Sequence, residues 1–422
     1  MEEIEKTFSK EQAAIEAERC LYCYDAPCET ACPAHVPIAE FIQSIRTDNL
    51  KGAREIIQEA HPFIETCGRI CPEESFCQSA CTRVKMDTPI KIRELHRYIT
   101  DNTDPSENLE LVPATKEKIA IVGGGPAGLA CARELRRFGY QPVVFEKKQL
   151  GGVPANEISV TRLSEEIEKK EARFLHHNFV SEIKDTTIKS LEELNEEYSA
   201  IFISTGLPGE LNLDIPGNNL DGVYYSRELL KRAKSGARLP HFKRVGVIGG
   251  GNVAVEVACV LKIEDPLRDV EVIYRRGTKE LKAFKKEIEE AIEVGVTFQF
   301  LAIPKKIKGN KRVDGLVVTR AHLGEKDTSG RRHPVPIPNS DFVIPLDAVV
   351  IAIGQKADVY FPKVERDAKG LVKVNDGLMT NVKGVFAGGD IVRGASTVVE
   401  CVADGKKAAQ NIAKYLEGEK NV

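Results

Sequence analysis

Eight of the 11 cysteines fall between positions 20 and 81. Cys20, Cys23, Cys28 and Cys32 are spaced C-x2-C-x4-C-x3-C with Pro33 after them, and Cys67, Cys71, Cys77 and Cys81 follow as C-x3-C-x5-C-x3-C. Thiols this dense could form disulfides, hold zinc, work as a redox pair or ligate iron–sulfur clusters. The opening stretch MEEIEKTFSKEQAAIEAERC is acidic and lacks the basic and apolar segments of a secretory leader, which predicts a cytoplasmic protein. In a reducing compartment clustered thiols bind metal more often than they pair. Structural zinc sites favour two short CxxC pairs, and only Cys20–Cys23 is one. No thioredoxin-like unit surrounds that pair. Two CxxxC pairs and a proline after the fourth cysteine instead match ferredoxin-type runs, in which the last cysteine serves a second cluster. Iron–sulfur ligation is therefore favoured. Cys131, Cys259 and Cys401 stand alone in helical stretches and are expected to pack as small apolar residues.

The second chemical signal is a glycine loop that occurs twice. KIAIVGGGPAGLACARELRRFGYQPVVFEKK (118–148) and RVGVIGGGNVAVEVACVLK (244–262) each run from an apolar β-branched strand through glycines into a helix, 126 residues apart. In the first, Gly123, Gly125, Pro126, Ala127 and Gly128 form the phosphate-facing turn and helix start, and Glu146 and Lys147 close the next strand, where a carboxylate can bind ribose hydroxyls. In the second, Gly249, Gly250, Gly251, Asn252 and Val253 form the turn, with Ala254 at the third glycine position. Its following strand ends in Arg275 and Arg276, where an NAD site usually carries an acid. Guanidinium groups there suit the 2′-phosphate of NADP(H). A third landmark, FAGGDIVRGASTVVE, places Gly389, Asp390 and Thr397 between a strand and a helix, with Asp390 positioned for a ribityl chain. Thr205 and Gly206 end one apolar strand and Gly354 follows another, as expected at chain crossings between flavin and nicotinamide domains.

These groups need elements to hold them. Residues 1–100 read as helical, with Ile38, Phe41, Ile42, Ile45, Ala53, Ile56 and Ile57 at helical spacing. A polar linker is expected over 101–117, then an FAD domain over 118–240 and 346–422, interrupted by an NAD(P)H domain over 241–345. The fold class predicted is α/β: two Rossmann-type nucleotide-binding domains preceded by an α-helical iron–sulfur domain. The chain has 422 residues, with 60 Lys+Arg against 63 Asp+Glu, a net charge of −3 that gives no case for nucleic acid or an anionic membrane. No apolar run approaches a bilayer span.

With EAERCLYCYDAPCETACP, CGRICP, VGGGPAGLACA, IGGGNVAVEVA, IYRR and FAGGDIVRGASTVVE in place, nearly the whole chain resembles the small (β) subunit of NADPH-dependent glutamate synthase and its relatives. These include the pyridine-nucleotide-oxidising half of dihydropyrimidine dehydrogenase and the large subunit of ferredoxin–NADP transhydrogenases. The resemblance implies FAD, NADP(H), two 4Fe–4S clusters and a redox partner subunit carrying the final substrate site. It implies that one cluster takes Cys20, Cys23, Cys28 and Cys81. The second would take Cys32, Cys71, Cys77 and a residue of PIKIRELH, where alignment puts His96 in place of the relatives' Gln or Glu, with Cys67 as the alternative.

Two stretches depart from the relatives. GGVPANEISVTRLSEEIEKK (151–170), which starts at the flavin-facing Gly152 pair, is shorter than the relatives' tract, which ends in Arg-Leu-Pro, and lacks that closing proline. KELKAF (279–284) replaces a Met-Pro-Ala. The expected activity is electron transfer between NADP(H), FAD and the clusters, with the flavin doing the chemistry and no catalytic side chain. The partner could be a glutamate synthase large subunit, a pyrimidine-reducing subunit or a transhydrogenase using NADH and ferredoxin. The rival reading is an electron-wire or assembly subunit with a vestigial flavin site.

Overall fold

The computed structural model describes residues 3–105, 109, 111–194, 197–327, 330–358 and 361–420. Residues 106–108 and 110 of the expected linker lie outside this set. The chain divides into two compact units. One comprises residues 157–161 and 209–355, and the other the remaining described chain, so that the helical cysteine region and the first glycine loop share a unit.

In that larger unit the N-terminal region is helical. Helix Ile38–Arg46 buries Ile38, Phe41, Ile42 and Ile45, a 3- and 4-residue repeat that sets one stripe inward. Helix Leu50–Ala60 buries Ala53 and Ile57 but leaves Ile56 half-buried. Helices Ile64–Ile70 and Ile92–Asp101 complete the core with Ile64, Cys67, Leu95 and Ile99. The rest of the unit is a five-stranded parallel sheet in the order Val385–Ala387, Ala200–Ile203, Lys118–Val122, Gln141–Phe145, Glu182–Lys184. Its central strands read as unbroken apolar runs because helices are expected on both faces of such a sheet. Strand Lys118–Val122 pairs with Gln141–Phe145 on one side and with Ala200–Ile203 on the other. The connections therefore leave in opposite directions, and the crevice at the carboxyl ends of these strands is where such sheets bind ligands.

The smaller unit repeats the plan. Its parallel sheet runs Val223–Tyr225, Ala348–Ile351, Arg244–Ile248, Asp269–Tyr274, Thr297–Phe300. Val223–Tyr225 pairs with Ala348–Ile351 inside this sheet, which is why the unit spans 209–355 and not only 241–345. A three-stranded antiparallel sheet, Ala302–Gly309, Val313–Lys326 and Arg332–Ile344, is added, an element the glycine motifs do not signal. Among the described residues no helix is long and apolar enough to cross a membrane.

Within the larger unit the last helix, Val398–Lys420, packs tightly on helix Pro126–Arg137. A Cβ at Gly405 would lie 2.2 Å from the Ala127 carbonyl oxygen. Gly405→Ala is expected to cost about 1–3 kcal/mol through overpacking, read as a lower thermal unfolding midpoint of the purified chain.

Candidate functional site

All 11 cysteines are free thiols. Cys20, Cys23, Cys28 and Cys81 line a single pocket whose other walls include Leu21, Pro27, Ile38, Ile42, Ile90 and Ile92. The local chain explains how they converge. Cys20 follows helix Lys10–Glu18, its N–H donating to the Ala17 carbonyl at 3.1 Å. Tyr22, with φ 49°, turns the chain so that Cys23 faces back. Cys28 sits in helix Pro27–Ala31, opened by proline at its first position. Cys81 arrives from the later segment, beside Thr82, whose hydroxyl lies 3.3 Å from the Cys23 sulfur. Burial first, then Glu29, Cys81 and Cys20, pushes the Cys28 thiol up to about 12. Burial, with Cys81 and Cys23 adding to it, raises Cys20 as well. Thiols that resist ionisation alone become thiolates when a cation compensates them. Among the described residues no three His, Cys, Asp or Glu side chains converge closely enough to hold one metal ion. Four thiols lining one pocket are a donor set that fits an iron–sulfur cluster.

Cys32 does not join them. It caps helix Pro27–Ala31 in extended conformation (ψ 118°) and is buried. Burial drives the Cys67, Cys71 and Cys77 thiols upward, with neighbouring thiols adding to each of Cys71 and Cys77. His96, on helix Ile92–Asp101, is buried beside this group. A Cβ on Gly68, the residue after Cys67, would lie 3.5 Å from its ring. Its ring is 6.2 Å from Phe41 and edge-on to His61 at 6.0 Å. Burial, then Arg54 and Arg69, pushes its pKa down to about 3, and Nε2 has no hydrogen-bond partner. A neutral imidazole with an open buried nitrogen is competent to ligate. His61, which sequence reasoning passed over, is also fully buried with Nδ1 unpartnered.

At the first glycine loop the chain's own packing demands two of the three glycines. A Cβ at Gly123, where φ is +108°, would lie 2.5 Å from the Ser204 carbonyl oxygen, and one at Gly128 would lie 2.0 Å from the Gly123 oxygen. Gly125 is different: a Cβ there would only touch Gly152 Cα at 3.7 Å. Gly125 is also the N-cap of helix Pro126–Arg137 and offers no side-chain cap, leaving the N–H groups of the first turn, including Ala127, for a ligand. Glu146 accepts from the Gly124 N–H at 2.9 Å, which fixes it beneath the loop, while Lys147 is exposed. Thr205 Oγ1 is buried without a hydrogen-bond partner, and the space around Gly206 is open. Asp390 accepts from the Ser396 N–H and hydroxyl at 3.1 and 2.7 Å, and burial raises it. Thr397 and Glu400 cap the last helix reciprocally. Cys401, expected only to pack, lies 3.4 Å from the Asp390 carboxylate. Asp404 carried no sequence motif, yet it holds the Gly389 N–H at 2.9 Å and both Arg393 nitrogens at 2.6 and 2.7 Å. An open middle glycine and an orphaned threonine hydroxyl fit a dinucleotide such as FAD.

The second loop shows the same division. A Cβ on Gly250 would lie 2.4 Å from the Tyr274 ring, whereas one on Gly251 meets nothing within 4 Å. Gly251 N-caps helix Asn252–Glu264 without a side-chain cap, and Val253 is half-buried in its first turn. The altered KELKAF stretch packs back on this loop: Lys282 N–H donates to the Gly250 carbonyl at 2.8 Å and Phe284 N–H to the Asn252 side chain at 2.9 Å. Gly354 takes a positive φ of 135° and accepts from the Leu211 N–H at 3.0 Å. The two arginines differ. Arg275 is exposed, whereas Arg276 is buried, paired with Asp327 at 2.5 Å and donating to the Arg332 carbonyl at 3.0 Å.

Residues 1–108 match the family described as dihydropyrimidine dehydrogenase domain II, 4Fe–4S cluster, and residues 117–405 match pyridine nucleotide-disulphide oxidoreductase. The chain is 33% identical to a glutamate synthase (NADPH) small chain of Halomonas elongata, over 98% of this chain and 93% of that one. It is 34% identical to the NAD-dependent dihydropyrimidine dehydrogenase subunit PreT of Escherichia coli, over 99% and 98%. Its fold is similar to that of Mycobacterium tuberculosis FprA in complex with NADPH, with a TM-score of 0.61 and 19% identity over 74% of this chain and 86% of that one. Gly251→Ala is expected to leave the unfolding midpoint unchanged, because nothing in the chain opposes the methyl. The same change should weaken nicotinamide nucleotide binding by about tenfold or more, roughly 1.4 kcal/mol, in a titration of the purified protein.

Proposed function

Because this chain belongs to the glutamate synthase small-chain family of pyridine nucleotide-disulphide oxidoreductases, an NAD(P)H-dependent flavin and iron–sulfur oxidoreductase, we propose that it is the electron-input subunit of a larger enzyme. FAD lies on the first glycine loop, NADP(H) on the second, and two 4Fe–4S clusters in the helical region. When bound, the flavin supplies the conversion between a two-electron nicotinamide and one-electron carriers. The chain's residues bind, orient and separate these groups. The observation that carries the reading is the pocket in the helical region lined by four cysteines, Cys20, Cys23, Cys28 and Cys81, with Cys32, Cys67, Cys71 and Cys77 outside its lining.

We infer the order of transfer from the contacts beside each group of cysteines. Lys406, on the last helix of the flavin fold, donates to the Ala34 carbonyl at 3.0 Å, two residues from Cys32. We therefore assign the cluster on Cys32 to the side of the flavin fold. The pocket of Cys20 is lined by half-buried cysteines, and exposed Leu21 and Tyr24 flank Cys23. We assign that cluster to the exit toward a partner subunit that holds the final substrate site. Relatives named for glutamate synthase and for dihydropyrimidine dehydrogenase support a partner of one of those kinds.

For the 2′-phosphate of NADP(H) we assign Arg275, since Arg276 is already engaged with Asp327. Arg275→Ala is expected to weaken NADPH binding at least tenfold more than NADH binding, and Arg276→Ala to lower stability with both nucleotides affected alike. Equal losses for the two nucleotides in Arg275→Ala would refute the assignment. For the fourth ligand of the second cluster we favour His96 over Cys67. His96→Ala is expected to shift or remove the second cluster's EPR signal while Cys67→Ala leaves it, and the reverse result would move the ligand to Cys67. The reading as a whole is tested by anaerobic purification. Bound flavin should bleach on addition of NADPH as the cluster signals develop, and a chain without flavin would overturn it.

A further inference from the structure

Helix Ile64–Ile70 carries Cys67 and presents Cys71 at its C-terminal end, where the Cys71 N–H donates to the Cys67 carbonyl at 3.3 Å. Its start has no means of its own to satisfy the free N–H groups of the first turn: Phe63 stands at the N-cap, after a proline, and makes no side-chain cap. The missing acceptor comes from Glu171, more than a hundred residues later in the chain. One carboxylate oxygen of Glu171 accepts from the Glu65 N–H at 2.7 Å and the Thr66 N–H at 3.2 Å, and the other accepts from the Thr66 hydroxyl. All three residues are buried, with Glu171 only 4% exposed. Unpaired N–H groups at such a depth are costly, so the acceptor fixes where this helix begins and hence where its thiols stand.

Glu171 belongs to helix Glu165–Phe179, which opens in the stretch that departs from the relatives. One turn earlier on the same helix, Glu168 accepts from the Gln149 side chain at 3.2 Å. Gln149 stands just before Gly151, whose N–H donates to the Gly124 carbonyl of the flavin loop at 2.9 Å. One helix therefore touches the segment beside the flavin loop with Glu168 and the cysteine helix with Glu171.

We infer that Glu171 is a positioning residue for the second cluster: its carboxylate, delivered by the divergent 151–170 tract and the helix it opens, sets the register of the Cys67–Cys71 segment. This rests on the reading that Cys71 ligates that cluster. The full chain is purified anaerobically as Glu171→Ala, Glu171→Gln and Cys71→Ser, with iron, acid-labile sulfide, bound flavin and the EPR signals of the reduced clusters measured. Glu171→Ala should lose or strongly alter the second cluster's signal while keeping the first cluster and the flavin. Glu171→Gln, which keeps an oxygen for the two N–H groups, should restore the second signal. An unaltered second signal in Glu171→Ala would overturn the inference, as would failure of Gln to restore it, or loss of flavin and both clusters together. Cys71→Ser separates the two levels. If it removes the second cluster and Glu171→Ala does not, only the positioning role fails; if it leaves that cluster intact, the ligand assignment fails first and the inference with it.

Discussion

The helical cysteine region is held to the flavin fold by two cations, buried Arg133 and half-buried Lys406, at the end of one helix. The last carbonyls of helix Leu50–Ala60 have no partners within the helix. Arg133 donates to those of Gln58 and Glu59 at 2.6 and 3.1 Å, and Lys406 to that of Ala60 at 2.6 Å. Positive charge at a helix C-terminus is favoured by the helix dipole as well as by hydrogen bonding. Arg133 lies on the helix that starts at the first glycine loop, and Lys406 on the helix that follows the Gly-Gly-Asp turn. The helix that leaves the first glycine loop and the helix that follows the Gly-Gly-Asp turn thus also fix the helical cysteine region. Burial lowers the pKa of both cations, yet their neighbouring acceptors keep them in place.

Around this anchor the same local device recurs. Helix starts lack capping side chains at Gly125 and Gly251, which leaves their first-turn N–H groups open, and at Phe63, where a distant carboxylate takes the capping role. The middle glycine of each loop is the one the chain's own packing does not need. The first and third positions of the first loop are fixed by contacts with Ser204 and with the loop itself. What a sterically idle glycine preserves is approach by something outside the chain.

Much of this was legible in the sequence. Strand–glycine–helix repeats report parallel sheets because buried strands must be apolar throughout, and the repeat at 118–148 and 244–276 became two sheets of matching order. The cysteine spacing announced a 4Fe–4S region, which the family match over residues 1–108 bears out. The rest depended on long-range contacts. Arg275 and Arg276 look alike in sequence, and only the fold spends one of them on Asp327. Asp404 and Glu171 act on backbone N–H groups far away in the chain, and a backbone acceptor leaves no motif. The antiparallel sheet from Ala302 to Ile344 follows no glycine landmark.

The five-residue helix Pro27–Ala31 carries Cys28, which lines the pocket, and ends at Cys32, which does not. The Cys32 N–H donates to the Cys28 carbonyl at 3.1 Å, so a substitution within this helix moves the backbone of both cysteines. On the proposed assignment, the Cys20–Cys23 turn and the Cys71–Cys77 segment are separate handles on the two clusters. Evolutionary drift is under the same restriction, so that variation between otherwise similar chains should gather at those two handles and spare the shared turn of helix.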